Sequence, residues 1–354
     1  MRSSEVPRGR GRTSDRSEGR PVASPGGAEV SELPRVSVVM AAWNAATTVA
    51  AAVSSVLWQT YPAWELVVVD DGSTDSTADL VSAFDDPRIT LVKQENAGAG
   101  SARNAGMEAA RGDLITFLDS DDVMLGRHLE ALVERLGDRT RAIVTANSYW
   151  LLPGGIDPSH TRHKGRFPAV PHQRLSLLEQ NYLSPMSLFR RELLEDVGGF
   201  DTTLHRSEDW DFWLRAVFAG HEVVHQPRPL ALFRWGQSSM STNRDLVFDA
   251  ERTILEGMSS RDDLRDDERA YLRRRLASPP PRLLSNEGDA ALRGRQYARA
   301  AQRFAAAADL SPSETMLVRK AQLMKLAPRL AGPLLRARQV RRENALAFDA
   351  EFEH

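Results

Sequence analysis

The chain contains no cysteine. That excludes disulfides, thiol nucleophiles and cysteine-ligated zinc, and it fits a reducing compartment. No run of about 18 apolar residues occurs, so no membrane-spanning helix is expected. The N-terminal stretch lacks an apolar centre, so no signal peptide is expected there. Neither sign of charge dominates: 46 Lys and Arg stand against 48 Asp and Glu, a formal net charge of −2. A general attraction to nucleic acid is therefore not expected, and any basic surface must be local. What remains is ordinary globular material, 354 residues at 42% hydrophobic and 27% charged. That length suits one large domain with appendages, or two domains.

Residues 1–33 hold six Arg among Gly, Ser and Pro. They cannot bury a core and are expected to form a disordered tail. Order begins at Val36-Ser37-Val38-Val39-Met40-Ala41, a β-branched run that reads as a buried strand. Trp43-Asn44 closes it, and Thr47 is a candidate cap for a helix to about Gln59. Strands are expected at Glu65–Val69, Ile89–Val92, Leu114–Leu118 and Ala142–Thr145, separated by helices. This alternation predicts βαβ units and a mostly parallel sheet covered on both faces, an α/β fold. Residues 151–185 show little periodicity and read as a long loop over the site. Further on come a strand at Met186–Phe189, a short helix ended by Gly198-Gly199, and a helix opened by Ser207-Glu208-Asp209.

Acidic residues gather where strands end. Asp70-Asp71-Gly72-Ser73-Thr74-Asp75 closes one strand, and Asp119-Ser120-Asp121-Asp122 follows another. Right-handed crossovers bring the C-terminal ends of parallel strands to one edge, where open α/β sheets bind ligands. Carboxylates packed there repel one another unless a positive object intervenes. A hard cation, Mg²⁺ or Mn²⁺, bridging to a phosphate would fill that place. An acidic turn capping the next helix is the alternative. Glu208-Asp209 likewise reads either as a helix cap or as a chemically active pair. His205 and His225 read as surface or core histidines.

From about Asp245 the pattern turns helical, with Pro279-Pro280-Pro281 marking a break. Ala291, Tyr297, Ala301, Phe304, Ala305 and Ala308 recur at helical spacing, as in one tetratricopeptide-like hairpin or a plain helical appendage. Residues 319–342 carry eight Lys or Arg and no acid, interleaved with leucines. That describes a basic helix packed on the domain or lying on a membrane surface.

Several segments together resemble glycosyltransferase family 2, with its GT-A (Rossmann-like) fold: Val36–Thr77, Glu95–Asp122, Gly198–Asp201, Ser207–Ala216 and Leu232–Ser241. The resemblance covers about Pro34 to Ser241, and the domain is expected over residues 34–245, with the tail before it and a helical region, 246–354, after it. It implies an inverting, metal-dependent transfer of a sugar from a UDP-, GDP- or dTDP-sugar to a carbohydrate, lipid-linked or protein hydroxyl. It implies Asp71 as a nucleobase contact, with Asp70 its weaker neighbour. Ala41 and Asn44 would lie against the nucleotide, Ala41 through its backbone. Arg103 and Asn104 would line the donor pocket. Asp119 and Asp121 match the D-x-D element, Asp121 as the direct metal ligand. Asp209 falls where relatives carry the catalytic base, beside Glu208. Arg234 and Trp235 stand where processive relatives carry Gln-x-x-Arg-Trp. The Gln is absent and no spanning helix follows, which argues for a non-processive enzyme. A polar loop, Gly236–Ser241, would close over the diphosphate. The location implied is the cytoplasm, with the inner membrane face touched through the basic C-terminal helix. Rival readings are a catalytically inactive nucleotide-sugar-binding scaffold and a sugar nucleotidyltransferase. The second lacks its usual Gly- and Lys-containing phosphate loop after the first strand.

Overall fold

A computed structural model describes residues 33–163, 167–235, 244–277, 279, 281–310, 315–326 and 331–336. The expected tail, the Gly236–Ser241 loop and much of the basic C-terminal stretch lie outside them. Order begins with β1 (Val36–Ala42), α1 (Val49–Leu57), β2 (Trp64–Asp71), α2 (Thr77–Ser82), β3 (Ile89–Gln94), α3 (Ala99–Ala109) and β4 (Leu114–Phe117). The cap of α1 is Thr48, one residue after the expected Thr47, and its side chain makes no capping bond. Next come β5 (Val123–Met124), α4 (His128–Leu136), β6 (Ala142–Leu152), β7 (Gly155–Thr161), α5 (Gln173–Glu179), β8 (Leu188–Arg190), α6 (Leu193–Val197), α7 (Glu208–Phe218) and β9 (Glu222–Arg234).

All these strands join one nine-stranded sheet in the order β3-β2-β1-β4-β8-β6-β9-β5, with β7 paired to β6. The expected parallel run is the half β3-β2-β1-β4. Beyond it the sheet is mixed: β8 lies antiparallel between β4 and β6, and β6 pairs in parallel with β9. With only three residues, β8 is too short for its sequence to reveal its direction.

Alternate residues of β1 and β2 enter two different cores. Val39, Val67 and Val69 pack with Met107 of α3 and with Phe212 and Trp213 of α7. Val38, Met40, Leu66 and Val68 pack with Val53 of α1 and Leu132 of α4. Both faces of these strands are thus apolar, which is why they read as continuous hydrophobic runs. Gly106 lets α3 settle onto β1: a Cβ there would lie 2.4 Å from Val39 Cγ1.

Two sequence expectations change. The stretch 151–185 is not one long loop, because it contains β7, which forms a hairpin with β6, and α5. The strand β7 is largely exposed, so it carries no apolar alternation to betray it. The sheet's core also runs past residue 245. Helices α8 (Arg244–Ser259) and α9 (Asp266–Ala277) contribute Leu255, Met258, Tyr271 and Leu272 to the α3–α7 side. Glu268 of α9 is fully buried and accepts from Arg174 of α5 at 2.9 Å. After these, α10 (Pro281–Arg293), α11 (Tyr297–Leu310) and α12 (Thr315–Leu326) share a separate cluster around Leu292, Phe304 and Met324. Among the described residues no helix is long and apolar enough to cross a membrane.

Candidate functional site

The ends of β1 and β2 form one wall. Ala42 pairs with Asp70, so the loops that follow these strands start side by side. Gly72 turns the chain at φ +72, and a Cβ there would come within 2.8 Å of the Asn96 amide nitrogen. Both facts demand glycine. Asn44, itself at φ 48, accepts from the Thr74 amide at 2.9 Å, while its own amide donates to Ser73 Oγ at 3.0 Å. Asp75 accepts from Thr77 Oγ1 at 2.5 Å and from the Ala46 amide at 3.1 Å. These bonds staple the β1–α1 loop to the β2–α2 loop. Asn44 therefore shapes the wall with its side chain. Ala41 lies half-buried one residue before the end of β1. The exposed Trp43 extends from the same loop.

Asp71 is almost wholly buried. Its carboxylate accepts from the amides of Ala97 and Gly98, each at 2.9 Å, and from Gln94 Nε2 at 2.7 Å. It thereby orders the turn that starts α3, and one lone-pair site remains for a ligand donor. Among the described residues, the Asp70 side chain beside it accepts one long bond, from the Ser73 amide at 3.4 Å.

Arg103 of α3 is the centre of the site. Its Nη1 donates to Glu208 Oε1 at 2.6 Å and its Nη2 to Asp119 Oδ1 at 2.8 Å. The guanidinium lies 5.4 Å from the Phe200 ring centre. Burial disfavours its charge, but Asp119, Glu208 and Asp209 outweigh that and hold it firmly protonated. One buried cation thus ties the loop after β4 to the start of α7. Asn104 is turned elsewhere: its amide donates to Phe200 O at 3.0 Å and accepts from the Phe200 amide at 2.8 Å. It fixes the turn at Gly199-Phe200, with one N–H and one lone pair used in doing so.

The acidic loop divides by environment. Asp119 is the more open, its side chain 29% exposed. Asp121 is pushed up to about 6, first by burial and then by the charge of Asp119. Asp122 is buried and raised well above the usual carboxylate range by burial and by both neighbours. Its Oδ1 accepts from the Arg234 amide at 2.7 Å, while Oδ2 is buried without a partner. Arg234, at the end of β9, donates through Nε to Asp121 O at 2.7 Å. Trp235 packs edge-on against Trp150 at 5.6 Å, partly exposed. Arg234 therefore sits beside the acidic loop, whereas Trp235 packs on Trp150 of β6.

At the opposite side, Ser207 adopts a left-handed conformation, φ 58, and opens α7. Asp209 Oδ2 accepts from Asn181 Nδ2 at 2.9 Å, and Oδ1 from the Trp210 amide at 2.8 Å. Its pKa is pushed up to about 6 by burial and then by the Glu208 charge, against the pull of Arg103 and Arg162. Neither Asn181 nor Arg162 was legible in the sequence. Both come from the 151–185 stretch, which carries no motif. His225 stacks on Phe167 at 4.4 Å, a core contact, and His205 is exposed.

Among the described residues no three acidic or histidine side chains converge into a ready-made metal cage. Asp119 and Asp121 supply two carboxylates, with one Asp119 oxygen already on Arg103. That donor set fits an ion that completes its sphere with phosphate oxygens and water, as Mg²⁺ and Mn²⁺ do beside nucleotide phosphates. Burial first, and then the charge of Asp119, push Asp121 up, and a cation at this loop would offset the second of these.

Comparison with known proteins gives the family and the fold. Residues 37–198 match the family model described as "Glycosyl transferase family 2". The chain is 32% identical over 227 residues to the succinoglycan biosynthesis protein ExoO of Rhizobium meliloti, covering 60% of this chain and 64% of that one. It is 31% identical over 216 residues to glycosyltransferase AglE of Haloferax volcanii, covering 56% of this chain and 69% of that one. Against ExoO, then, the chain spans just under two thirds of the relative's length. In three dimensions it superposes on the mannosyltransferase PcManGT of Pyrobaculum calidifontis, solved with GDP-Man and Mn²⁺, at a TM-score of 0.56. That match has 20% identity and covers 87% of this chain and 88% of the other, a likeness of fold.

Proposed function

The chain belongs to glycosyl transferase family 2, and from that premise we propose that it transfers a sugar from a nucleoside-diphosphate sugar to an acceptor hydroxyl, with inversion at the anomeric carbon. The observation that carries this is the Asp119–Arg103–Glu208 bridge, which sets an acidic strand-end loop opposite a carboxylate of raised pKa, Asp209. The β1–β2 wall takes the nucleoside, with Asp71 offering its remaining lone pair to the base. Asp119 and Asp121 would hold a divalent ion, Mn²⁺ or Mg²⁺, beside the donor's diphosphate. When bound, that ion neutralises charge on the leaving diphosphate. Arg234 adds positive charge at the same loop. Asp209 removes the proton of the acceptor hydroxyl on the face away from the diphosphate, as one-step inversion requires. Asn181 donates to Asp209 and so favours its ionised, proton-accepting form.

Arg103 has a positioning role. It fixes the distance between acidic loop and base, and its charge keeps Asp209 from rising further. The mannosyltransferase with a similar fold binds GDP-Man and Mn²⁺, which supports a nucleotide-sugar donor and a divalent ion here. ExoO, a relative named for succinoglycan biosynthesis, supports a saccharide acceptor in a cell-envelope polysaccharide pathway. The missing Gln of the processive motif supports addition of single sugars.

We also place the enzyme in the cytoplasm, against the inner face of the membrane. On α12, Arg319, Gln322, Leu323 and Leu326 fall on one helical face and are all exposed, Leu326 by 84%. A leucine pair beside Arg319 and Lys325 suits an anionic lipid surface.

The test is release of nucleoside diphosphate from a panel of UDP-, GDP- and dTDP-sugars, with Mn²⁺ and with chelator. Asp209→Asn should lower turnover by about 10²–10⁴-fold while leaving nucleotide binding intact. Metal-independent turnover, or an active Asp209→Asn, sinks the reading.

A further inference from the structure

The short helix α5 runs along α7, the helix that carries the proposed base, and touches it from one end to the other. Arg174, near the start of α5, lays its guanidinium over the ring of Phe218, the last residue of α7, at 4.0 Å. Leu177 O accepts from Trp210 Nε1 at 2.7 Å. Asn181, two residues past the end of α5, donates to Asp209 Oδ2 at 2.9 Å, and its own Oδ1 accepts from the Leu183 amide at 3.2 Å. The helix has seven residues, about 10 Å of length, so a shift at Arg174 reaches Asn181 with little to absorb it.

Arg174 is in turn held by α9 and the loop before it. Its Nη2 donates to Glu268 Oε2 and to Asp263 O, each at 2.9 Å. Glu268 is fully buried, and Arg265 closes on it as well, through its amide at 2.9 Å and its Nε at 2.7 Å. Arg265 Nη1 then reaches Pro171 O, just ahead of α5, at 2.7 Å. The start of α5 is therefore gripped at two residues. Packing alone does not call for this device. Leu255, Met258, Tyr271 and Leu272 already seat α8 and α9 on the core, and buried ion pairs are often replaced by apolar residues without loss of stability. What the buried carboxylate adds is direction. Apolar contacts are non-directional and let a helix roll or slide, whereas charge-assisted hydrogen bonds fix its rotation and register. The Asn181–Asp209 bond needs that precision, because a misplacement of about 1 Å is enough to spoil a reacting geometry.

We propose that Glu268 is a positioning residue for the base: through Arg174 it sets α5, and through α5 it sets the Asn181–Asp209 bond. Glu268 itself touches no reacting atom. The inference rests on the transferase function proposed above, with Asp209 as base. It makes α9, which lies beyond the residues 37–198 matched by the family model, a working part of the site.

The experiment is a double-mutant cycle in the full chain between Glu268→Gln and Asn181→Ala, with Arg174→Gln and Arg174→Lys alongside. Donor hydrolysis and transfer to octyl glycosides are followed with Mn²⁺ and the sugar donors of the panel above, at a pH of about 6, where the ionisation of Asp209 is most sensitive to its donor. Affinities for UDP and GDP certify folding. Glu268→Gln keeps the shape of the side chain and removes its charge. It should lower kcat about fivefold to tenfold, with donor KM and nucleoside-diphosphate affinities within about twofold of wild type. Arg174→Gln matches it, and Arg174→Lys, which keeps the charge, loses less. In the Asn181→Ala background Glu268→Gln should cost less than about twofold further, because the bond it sets is already gone. A merely structural role gives the opposite pattern: losses that multiply in the double variant, or a loss carried by KM. Either pattern overturns the inference and leaves the transferase in place. So does wild-type kcat in Glu268→Gln or in Asn181→Ala. If Glu268→Gln does not fold, the cycle is read from Arg174→Lys, where multiplying losses are equally decisive. A wild-type chain that turns over none of the donors overturns the function and this inference together.

Discussion

Replacing Arg103 with methionine keeps much of the side chain's volume and removes its charge. In the native site that charge sits between Glu208 Oε1 at 2.6 Å and Asp119 Oδ1 at 2.8 Å. The Arg103 and Glu208 side chains are only 6% and 7% exposed, so Glu208 would be left as a buried, unpaired carboxylate. Breaking a buried pair on one side costs about 3–5 kcal/mol. Asp119 is 29% exposed and can turn to water, which argues for the lower end, about 3 kcal/mol. For a domain of this size that corresponds to a fall in Tm of about 6–12 °C. Thermal unfolding followed by circular dichroism measures it. The companion variant Arg103→Met/Glu208→Leu removes both buried partners and should recover at least half of the loss, because an apolar pair of similar volume is tolerated where a lone charge is not. A single variant that shifts Tm by less than about 2 °C would refute the reasoning. So would a double variant whose loss equals the sum of the single losses, since that means no coupling between the residues.

Other outcomes follow from the same geometry. Asp209 acts as a base only when ionised, and its pKa is pushed up to about 6, so kcat/KM should fall about tenfold per pH unit below that point and level off above it. Asn181→Ala removes a donor to the ionised form and should move this limb to higher pH, while a profile flat from about pH 5 to 8 speaks against Asp209 as base. Gly72→Ala meets both a left-handed backbone and the Asn96 amide, whereas Gly98→Ala at φ +91 meets no atom within 4 Å. Chemical denaturation should therefore show the Gly72 variant less stable than the Gly98 variant, which carries only the backbone term of about 1–2 kcal/mol; the reverse order would contradict the packing. Leu323→Glu/Leu326→Glu should weaken co-sedimentation with phosphatidylglycerol vesicles at least tenfold, and equal binding by the wild type to neutral phosphatidylcholine vesicles would dismiss the anionic surface.

Much of this molecule is written in its local sequence. The runs Val36–Ala41 and Glu65–Val69 are buried on both faces, so their strand character needs no knowledge of their neighbours. Their alternation with helices fixes parallel pairing, and parallel pairing brings Asp70, Asp71 and Asp119 to one edge. The acidic cluster could therefore be nominated from composition and order, whereas Glu208-Asp209 reads equally as a helix cap until the family resemblance singles it out. What each carboxylate is fit for could not be read that way. Asp119, Asp121 and Asp122 are adjacent in sequence and alike in chemistry. Folding leaves the first on Arg103 and half open, the second raised by burial, and the third buried with one oxygen unused. Asp71 and Asn104 turn out to be occupied in holding loops, through bonds to Ala97, Gly98 and Phe200. Arg162 and Asn181 come from a stretch without periodicity, placed by an exposed hairpin whose strand has no apolar face to announce it. The sequence by itself determined which elements form and where charge collects, because those depend on residues close along the chain. Only the tertiary structure decided which charges meet, which are desolvated and which remain unpaired, because those depend on contacts across more than a hundred positions, as between Arg103 and Glu208.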